Sequence, residues 1–509
     1  MGWGRDFEDK MKGKDTNAEA AAKAAAAAAA AQRAAEAQAE QERLIAEQAA
    51  RDARDASIAA SVASRLLVNR SSNNADIPVI YGTHRIGGVR VYVETSNGSG
   101  TVNDTPTGNE FFNMIIVVAE GQTGPPKQIL FGDVIIWQDN GSNRPESDGE
   151  YILNGFASGN EYSGAQININ YHDGRDNQEV DSLIQGSVGS GNWPDTAKLG
   201  GVAYFAIKLK ANADAYAGGV PVITVVVEGK HIKNVSTINT TTNTYSNTVG
   251  DSQNPADVIY DYLTNKRYGK GMDHDSSGNY DAGLDIDVES FVAARSHYAS
   301  ANSGNGIKFN GVIPTAARIY DNVEMLTLSC NSSLVYTAGK YRLVPRKQDE
   351  TSIFEFNKDN ILGAVSVTRP TKTSLFNKIT AGYVDSSAAL NYVDNVEVTY
   401  TGNDGTNYLN EDNGTVLESK VDYQMTTDPT YVSRLNKYRI DNSRHQITAS
   451  FVANHQALRV ECGDIVKIVQ EDLGWDSAAN KLFRVVEITF QKGNQFEFIC
   501  IEYKSSIQI

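Results

Sequence analysis

The chain has 509 residues, of which 40% are hydrophobic and 21% are charged, and its formal net charge is −16. This length exceeds what a single core supports and predicts two to four domains that mostly fold. A chain this acidic repels a phosphate backbone, which argues against a protein that wraps nucleic acid. Its three widely spaced cysteines exclude a dense disulfide framework and indicate reduced, buried thiols. No run of about 18 apolar residues predicts a membrane span, and the N-terminus has no apolar signal core, so we expect synthesis in a cytoplasm.

Residues 1–68 predict an alanine-rich N-terminal helical arm. Alanine is the best helix former, and Thr16 with Glu19 forms a T-x-x-E capping box near the start. One helix of about 50 residues would be roughly 75 Å long. Large apolar side chains are scarce before Leu44, so the arm lacks a strong leucine seam. We interpret it either as a solvated arm or as a helix that a partner covers.

From residue 69 the sequence changes to β patterning. Residues 69–235 are rich in Val, Ile and Tyr and predict a first β domain. Within this domain, Gly, Ser, Asn and Asp accumulate at about 139–200 and predict a loop-rich insertion.

The remainder predicts an α+β domain at 236–348 and a second β domain at 349–509. In the α+β domain, Asp287 and Thr315 are the expected N-caps of two helices. The second β domain alternates apolar and polar residues along its strands, with one helix expected at 429–443. In the strand expected at 495–503, Phe496, Phe498 and Cys500 fall on one face and should be buried together.

No enzyme signature is present in the sequence, because H-E-x-x-H, the phosphate-binding glycine loop and G-x-S-x-G are all missing. The seven histidines are scattered, so a metal site would need a convergence that spacing does not reveal. His172 and Asp173 lie in a YHDGRDN segment that we interpret as a turn and not as a catalytic pair. We therefore expect no catalytic residue and no cofactor.

One acidic segment, DHDSSGNYDAGLD at 273–285, begins like a calcium loop. Oxygen-bearing residues at the first, third and fifth positions and then a glycine match the opening of such a loop. The twelfth position is Leu284, where a bidentate Glu is needed, so a solvated acidic loop is the simpler interpretation. The weak calcium candidates are Asp273, Asp275, Ser277 and Asp281.

Several further segments follow one another in an order that is informative as a whole. A Y-D-x-L-T-x-x-R-Y-G-x-G pattern is made by Tyr260, Asp261, Leu263, Thr264, Arg267, Tyr268, Gly269 and Gly271. A helix and a hydrophobic hairpin follow at 315–345, and LFNKITAGYVD follows at 375–385. Later, Gly463 and Asp464 match a turn before a strand, with Cys462 where a proline is usual. Over roughly 70–504, the chain thus resembles the tail tip attachment, or central tail hub, protein of lambda-like bacteriophages.

The resemblance implies an α+β, mostly β fold with two β-barrel-like hub domains flanking an α+β domain, preceded by a long N-terminal α-helix. It implies a homotrimer whose six β domains form a pseudo-sixfold ring, which closes the distal tail tube and opens for DNA ejection. Such a protein is made in the host bacterial cytoplasm and resides at the tail tip of the virion.

The partners implied are a distal tail or tail tube protein, the tape measure protein, and tail fibre or tip proteins. DNA is expected to pass through the lumen without specific binding, and no membrane is crossed. Members of the family continue into further domains, so we expect receptor binding to lie on another protein or to be absent. The alternative function is a virion-associated adhesin or polysaccharide depolymerase, which a deep cleft with two facing carboxylates would favour.

Overall fold

Strands predominate in the structure, a computed structural model that describes residues 69–71, 75–97, 110–212, 214–216, 218–245, 253–348, 351–369, 375–388, 391–403, 405–476 and 480–509. These residues belong to one structural unit, Ala59–Ile509. They contain six α-helices among mostly β structure, which confirms an α+β, mostly β fold for the described part. None of these helices is long and apolar enough to cross a membrane. The expected N-terminal helical arm lies outside the described residues.

The first part of the chain builds two sheets around one core. Its elements are β1 (Arg70–Ser71), β2 (Val79–Tyr81), β3 (Thr83–Ile86), β4 (Val89–Ser96), β5 (Phe111–Glu120), β6 (Pro126–Phe131), β7 (Val134–Gln138), β8 (Glu146–Ser147), β9 (Glu150–Leu153), β10 (Ile167–His172), α1 (Ser182–Val188), β11 (Val202–Lys210) and β12 (Ile223–Glu228). A seven-stranded sheet has the order β1-β4-β5-β11-β10-β9-β8, and a four-stranded sheet has the order β3-β12-β6-β7. We call these two sheets and α1 the first β module. β2 lies in neither sheet and pairs antiparallel with a strand at Gly311–Ile313.

The apolar run of β5 is explained by its position between two layers. One set of its side chains, including Met114 and Ile116, packs in the core between the two sheets. The alternate set, including Ile115 and Val117, packs under α1. Because both faces of β5 are covered, its sequence is a continuous hydrophobic run without polar alternation. The stretch 139–200, which was expected to be a loop-rich insertion, contains three strands of the seven-stranded sheet, β8, β9 and β10. It also contains the helix α1 that covers β5.

The middle of the chain is helical with two small strand pairs. Its elements are α2 (Pro255–Thr264), α3 (Val288–Ser300), β13 (Gly311–Ile313), α4 (Ile319–Ser329), β14 (Ser332–Thr337) and β15 (Lys340–Pro345). Asp287 caps α3 by accepting a hydrogen bond from the Ser290 N–H, as predicted. The N-cap prediction for Thr315 is wrong. α4 begins at Ile319 with Arg318 in the N-cap position, and the Thr315 hydroxyl donates to the Ile77 carbonyl at 2.9 Å.

The last part of the chain contains a six-stranded sheet and a smaller one. Its elements are β16 (Phe354–Phe356), β17 (Ile361–Thr368), β18 (Lys378–Ala388), β19 (Asn391–Thr399), α5 (Tyr408–Glu411), β20 (Glu418–Tyr423), α6 (Pro429–Arg444), β21 (Thr448–Ala453), β22 (Ile465–Ile468), β23 (Leu482–Gln491) and β24 (Gln495–Tyr503). The six-stranded sheet has the order β16-β22-β23-β24-β21-β17, and we call it the last β sheet. The three-stranded sheet has the order β19-β18-β20.

The largest core joins the helices of the middle segment to the three-stranded sheet. Tyr260 of α2 and Phe291 of α3 belong to the same buried cluster as Ile379 of β18 and Val432 of α6. The hydrophobic core therefore continues across residue 348, where a domain boundary was expected. The division at 235 and 348 stays a prediction.

Candidate functional site

The motif that carries the family resemblance forms the end of α2 and the turn after it. At the last residue of the helix, the Thr264 hydroxyl donates to the Tyr260 carbonyl at 2.9 Å. Leu263 is buried in the central core. The backbone N–H of Met272 returns to the Leu263 carbonyl at 2.9 Å and closes the turn. These residues therefore determine how the chain leaves the helix.

Asp261 connects α2 to the first β module. Its Oδ2 accepts hydrogen bonds from the hydroxyls of Tyr81 at 2.6 Å and Tyr268 at 2.7 Å. The Lys230 ammonium, just after β12, contacts the Tyr268 hydroxyl and lies 3.8 Å from the same carboxylate oxygen. Burial, and next the negative charge of Asp261, raise the pKa of Tyr81 and of Tyr268 well above the usual value. Both phenols therefore remain protonated donors, and the network joins α2, β2 and the end of β12.

The two motif glycines are required by the geometry of the turn. A Cβ on Gly269 would lie 1.8 Å from the Tyr262 carbonyl oxygen. Gly271 has a φ of +71°, in the left-handed region that L side chains rarely adopt. The turn therefore excludes any larger residue at the first position and disfavours one at the second.

Arg267 extends from this turn across a polar cleft to β5. Its Nε lies 2.8 Å from Glu120 Oε1. The cleft has a volume of about 610 Å³, and Lys230 and Asp176 also line it. Burial raises the pKa of Glu120, although the charges of Arg267 and Lys230 act in the opposite direction. Such a surface of mixed charge can hydrogen-bond a polar chain segment or a saccharide, but its buried carboxylate already pairs with Arg267.

The acidic segment after the motif is held by hydrogen bonds within the protein. The carboxylate of Asp273 is buried and accepts from the backbone N–H groups of Gly283, Asp285 and Ile286 at 3.0, 2.8 and 3.1 Å. The Tyr260 hydroxyl donates to it as well, at 2.8 Å. Asp273 therefore orders its own loop around the motif tyrosine.

The other calcium candidates are turned toward local donors. Asp275 Oδ1 accepts from the N–H groups of Ser277 and Asn279 at 2.9 and 2.8 Å. The backbone hydrogen bond from Asn279 is the main cause that lowers the pKa of Asp275. Asp281 accepts from the Asn243 side-chain amide at 3.1 Å. These contacts are those of a hydrogen-bonded loop, and calcium binding there stays untested.

Gly463 and Asp464 form a tight turn against the β14–β15 hairpin. Gly463 has a φ of +96°, and a Cβ there would lie 2.9 Å from Val344 Cγ2. The Asp464 carboxylate accepts from the Glu461 N–H at 2.8 Å and closes the turn. Burial raises the pKa of Asp464. This pair lies far along the chain from the α2 motif and supports the last β sheet.

His172 is not in a turn, contrary to the sequence-based interpretation. It is the last residue of β10 and is buried, and its Nε2 lies 3.0 Å from Asp181 and not against Asp173. Asp173 instead accepts from Arg175 Nε at 2.9 Å. The helix that brings Asp181 to this place was not expected from a glycine- and serine-rich stretch.

The residues that complete the α2 network carry no sequence signal of their own. Tyr81 is 180 residues away from Asp261 in the chain, Glu120 is the last residue of β5, and Lys230 follows β12. Only the folded chain brings these side chains to the motif.

Comparisons with known proteins agree with a tail protein. Residues 318–488, less than half of the chain, match the family model described as a putative phage tail protein. No curated protein is detectably similar in sequence.

Among solved structures, a chain of the virion of a native gene transfer agent particle has a TM-score of 0.55 at 12% identity, over 87% of this chain and 88% of that one. This shows a shared fold. Two further neighbours have TM-scores too low to support an argument. They are the 43 kDa tail protein of prophage MuSo2 from Shewanella oneidensis, with a TM-score of 0.29 at 10% identity over 84% of this chain and 99% of that one, and a tail protein from Neisseria meningitidis MC58, with a TM-score of 0.30 at 7% identity over 86% and 98%. The resemblance to phage tail proteins is thus supported, while membership of the lambda-like hub family stays a prediction.

Proposed function

We propose that this chain is a structural protein of a bacteriophage-type tail and acts as the hub of the tail tip in the virion. The observation that carries the proposal is the fold shared over 87% of the chain with a protein of a gene transfer agent virion. The match of 318–488 to a phage tail family model supports the same class. Because a fold does not specify a role, the support for a hub comes from the sheets and their surfaces.

The strand order of the last β sheet supports a barrel-like curl. Its two end strands, β16 and β17, are consecutive in the chain and are joined by the short turn from Asn357 to Asn360. All six strands contribute side chains to one core, for example Phe356 and Ile361 from the end strands and Phe498 from the centre. A sheet whose end strands are joined by a short turn around one core is compatible with a curled, barrel-like shape, and this supports the proposal.

The first β module follows the same connection rule with more strands. β3, an edge strand of the four-stranded sheet, leads directly through Gly87 and Gly88 into β4, which lies next to the edge strand β1 of the seven-stranded sheet. On the other side, β7 leads into β8 at the far edge of the seven-stranded sheet. Two ring-like modules in each copy would give six in a trimer, the pseudo-sixfold ring that a hub needs. The first β module has sheets of seven and four strands, whereas the last β sheet has six strands. The two would therefore be equivalent in their outer shape and not strand by strand.

Apolar side chains on outer strand faces supply surfaces for association. Val396 and Val398 of β19 are 60% and 44% exposed, and they alternate along an edge strand of the three-stranded sheet. In the first β module, Val91 and Val93 of β4 show the same alternation. Exposed apolar residues in register on a strand favour a protein–protein contact. We assign these faces to contacts between copies or with the distal tail, tail tube, tape measure and fibre proteins.

The net charge of −16 fits a lumen through which DNA passes during ejection without adhering. In this proposal the chain is not an enzyme, and the motif around Asp261 has a structural task. It holds the helical middle of the chain to the first β module.

The test is to delete the coding sequence from the phage or prophage that carries it and to image the particles by electron microscopy. A hub is required for tail assembly, so we expect heads without tails or tails without a tip, and restoration by the intact chain. Antibodies raised against the purified chain should label the distal tail end of normal particles. Normal tails in the deletion, or label on the head, would overturn the proposal.

The polar cleft gives the alternative function its one supporting observation. Glu120 and Asp176 both line it, and facing carboxylates are the machinery of saccharide hydrolysis. The ion pair between Glu120 and Arg267 weighs against a free general acid. If the purified chain cleaves host polysaccharide and Glu120→Gln abolishes the cleavage, the depolymerase replaces the hub.

A further inference from the structure

The register of three neighbouring strands aligns Glu150, His172 and Tyr204 in one row. In the antiparallel pairing, His172 of β10 lies opposite Glu150 of β9 on one side and opposite Tyr204 of β11 on the other. Side chains of directly opposed residues project from the same face of a sheet. The imidazole and phenol rings accordingly stack, with centroids 4.4 Å apart and planes 10° apart.

The start of α1 adds a second carboxylate above this row. Asp181 is the N-cap of α1, and its Oδ1 accepts from the Ile184 N–H at 2.7 Å. Its Oδ2 lies 3.0 Å from His172 Nε2. Asp181 is fully buried. One of its carboxylate oxygens caps the helix, and the other faces the histidine.

The three side chains have the spacing of metal ligands. One ligand atom from each of Glu150, His172 and Asp181 lies within 4.8 Å of the others, and the Glu150 oxygen is 3.8 Å from His172 Nε2. A tetrahedral ion with bonds of about 2.0 to 2.1 Å needs ligand atoms roughly 3.3 Å apart. The observed distances of 3.0 and 3.8 Å lie on either side of that value, so small side-chain rotations suffice.

Asn170 holds both carboxylates from the same strand as His172. Its amide nitrogen donates to Glu150 Oε1 at 2.8 Å and to Asp181 Oδ2 at 3.2 Å. Outer hydrogen bonds of this kind fix the direction of metal-binding carboxylates.

An independent observation comes from the hydroxyl of Tyr204. Tyr204 is fully buried, and within the described residues its hydroxyl has no hydrogen-bond partner. Tyr204 lies opposite His172 in the sheet and its ring stacks on the imidazole, so the phenol is on the same face of the sheet as His172. Three other buried phenol hydroxyls in the described residues, those of Tyr92, Tyr216 and Tyr431, also lack a partner, but Tyr204 is the one whose ring stacks on His172. A buried hydroxyl without a partner calls for an explanation, and a bound ion at the neighbouring cluster would supply one.

We propose that Glu150, His172 and Asp181 bind a divalent cation of the Zn²⁺ class, with the Tyr204 hydroxyl directed at the fourth ligand position. One imidazole with two carboxylates suits zinc and its neighbours in the first transition row. Calcium and magnesium prefer six or more oxygen ligands and fit a histidine-containing triad poorly. The ion would hold β9, β10 and α1 together, a task that goes beyond the hub and does not depend on it.

The simpler interpretation is that His172 and Asp181 merely anchor α1 to the sheet. That anchor needs neither Glu150 nor the Tyr204 hydroxyl, so these two residues discriminate between the interpretations. Glu150→Gln keeps an oxygen that can accept from Asn170, and Tyr204→Phe keeps the stacked ring.

The experiment uses the full chain without an affinity tag, treated with EDTA, dialysed and titrated with ZnCl₂ by calorimetry. We expect one zinc per chain and a rise in Tm on loading. Glu150→Gln should weaken binding more than about tenfold, and Tyr204→Phe by up to about tenfold. The matched controls are Glu146→Gln on neighbouring β8 and Tyr92→Phe, where a half-buried tyrosine also has a hydroxyl without a protein partner in the described residues, and both variants should bind zinc as the wild type does.

Three outcomes would overturn the proposal. They are the absence of stoichiometric zinc binding, zinc binding that Glu150→Gln leaves unchanged, and selective binding of Ca²⁺ or Mg²⁺ over Zn²⁺. Because the readout is metal content and Tm, failure here would leave the tail function unaffected.

Discussion

Gly269 illustrates how the family motif acts through geometry at the scale of one residue. A Cβ there would lie 1.8 Å from the Tyr262 carbonyl, and backbone atoms on a buried helix end have little freedom to move. We expect Gly269→Ala to lower the free energy of unfolding by about 2 kcal/mol or more, as overpacking does. Chemical denaturation followed by tryptophan fluorescence measures this change.

The matched control is Gly191→Ala, because an added Cβ at Gly191 meets no atom within 4 Å and its φ is not positive. This substitution should change the free energy of unfolding by less than about 0.5 kcal/mol. Equal effects of the two substitutions would contradict a steric role for Gly269.

Glu120 should make stability depend on pH. Burial raises its pKa in the folded state above the ordinary value of 4.5, so the folded chain holds this proton more tightly than the unfolded chain. The stabilising contribution of protonated Glu120 to the free energy of unfolding is therefore fully present below its pKa in the unfolded chain. It is lost as the pH rises through its pKa in the folded chain. Melting curves of the wild type from pH 4.5 upward should show this loss, and Glu120→Gln should make the pH dependence shallower. Glu179→Gln, at a side chain that is 76% exposed, should leave the slope as in the wild type.

Single residues of the resemblance become intelligible only with their contacts. The Asn that precedes β18, Asn377, is buried and donates to Asp412 at 2.6 Å and to the Thr415 carbonyl at 2.8 Å. Its own oxygen accepts from the Leu417 N–H at 2.9 Å. The sequence pattern marked the residue, but its partners lie about 40 residues onward in a segment without a recognisable motif.

The next scale is the contact between elements, where α2 and α3 are joined by a buried ion pair. Arg295 Nε lies 3.0 Å from Asp257 Oδ2, and Asp257 is fully buried. Asp257 Oδ1 also accepts from the Val235 N–H at 2.9 Å. Arg295→Ala would leave the buried Asp257 carboxylate without its cation and shielded from water. The substitution should therefore lower the free energy of unfolding by about 3 kcal/mol.

An exposed pair gives the comparison for Arg295. Arg318 and Asp321 are paired at 2.8 Å, but the Arg318 side chain is 77% exposed. Arg318→Ala should cost less than about 1 kcal/mol in the same denaturation experiment. If the two substitutions cost the same, burial does not determine the strength of the α2–α3 contact.

Elements with strong periodicity were predictable from the sequence, and weakly patterned ones were not. The helix expected at 429–443 spans Pro429–Arg444, and the strand expected at 495–503 spans Gln495–Tyr503. Phe498 and Cys500 are buried on one face of that strand, as the alternation predicted. In contrast, α1 consists of SLIQGSV, where glycine and serine hide a seven-residue helix whose start depends on Asp181.

At the scale of the whole molecule, long-range contacts explain what sequence reasoning missed. The central core collects side chains from α2, α3, β18, β20 and α6, which are spread over nearly 200 residues. Composition changes along a chain mark stretches of similar secondary structure, and they do not report which stretches share a core. The Asp261 network, the polar cleft and the Glu150–His172–Asp181 cluster all depend on such pairings.

Association of the chain should depend on the exposed valines of β19. Val396→Lys with Val398→Lys changes side chains that are 60% and 44% exposed, so the fold should survive, with a Tm close to that of the wild type. Lysines on an edge strand oppose strand-to-strand contacts, so the double variant should be a monomer, whereas we expect the wild type to be the proposed trimer. Light scattering after size-exclusion chromatography measures the masses directly.

The matched control is Val220→Lys with Val222→Lys. These two valines have similar exposure, 40% and 43%, but lie outside any strand, so this double variant should keep the oligomeric state of the wild type. A monomeric wild type, or a double β19 variant that stays trimeric, would show that this face does not hold the copies together.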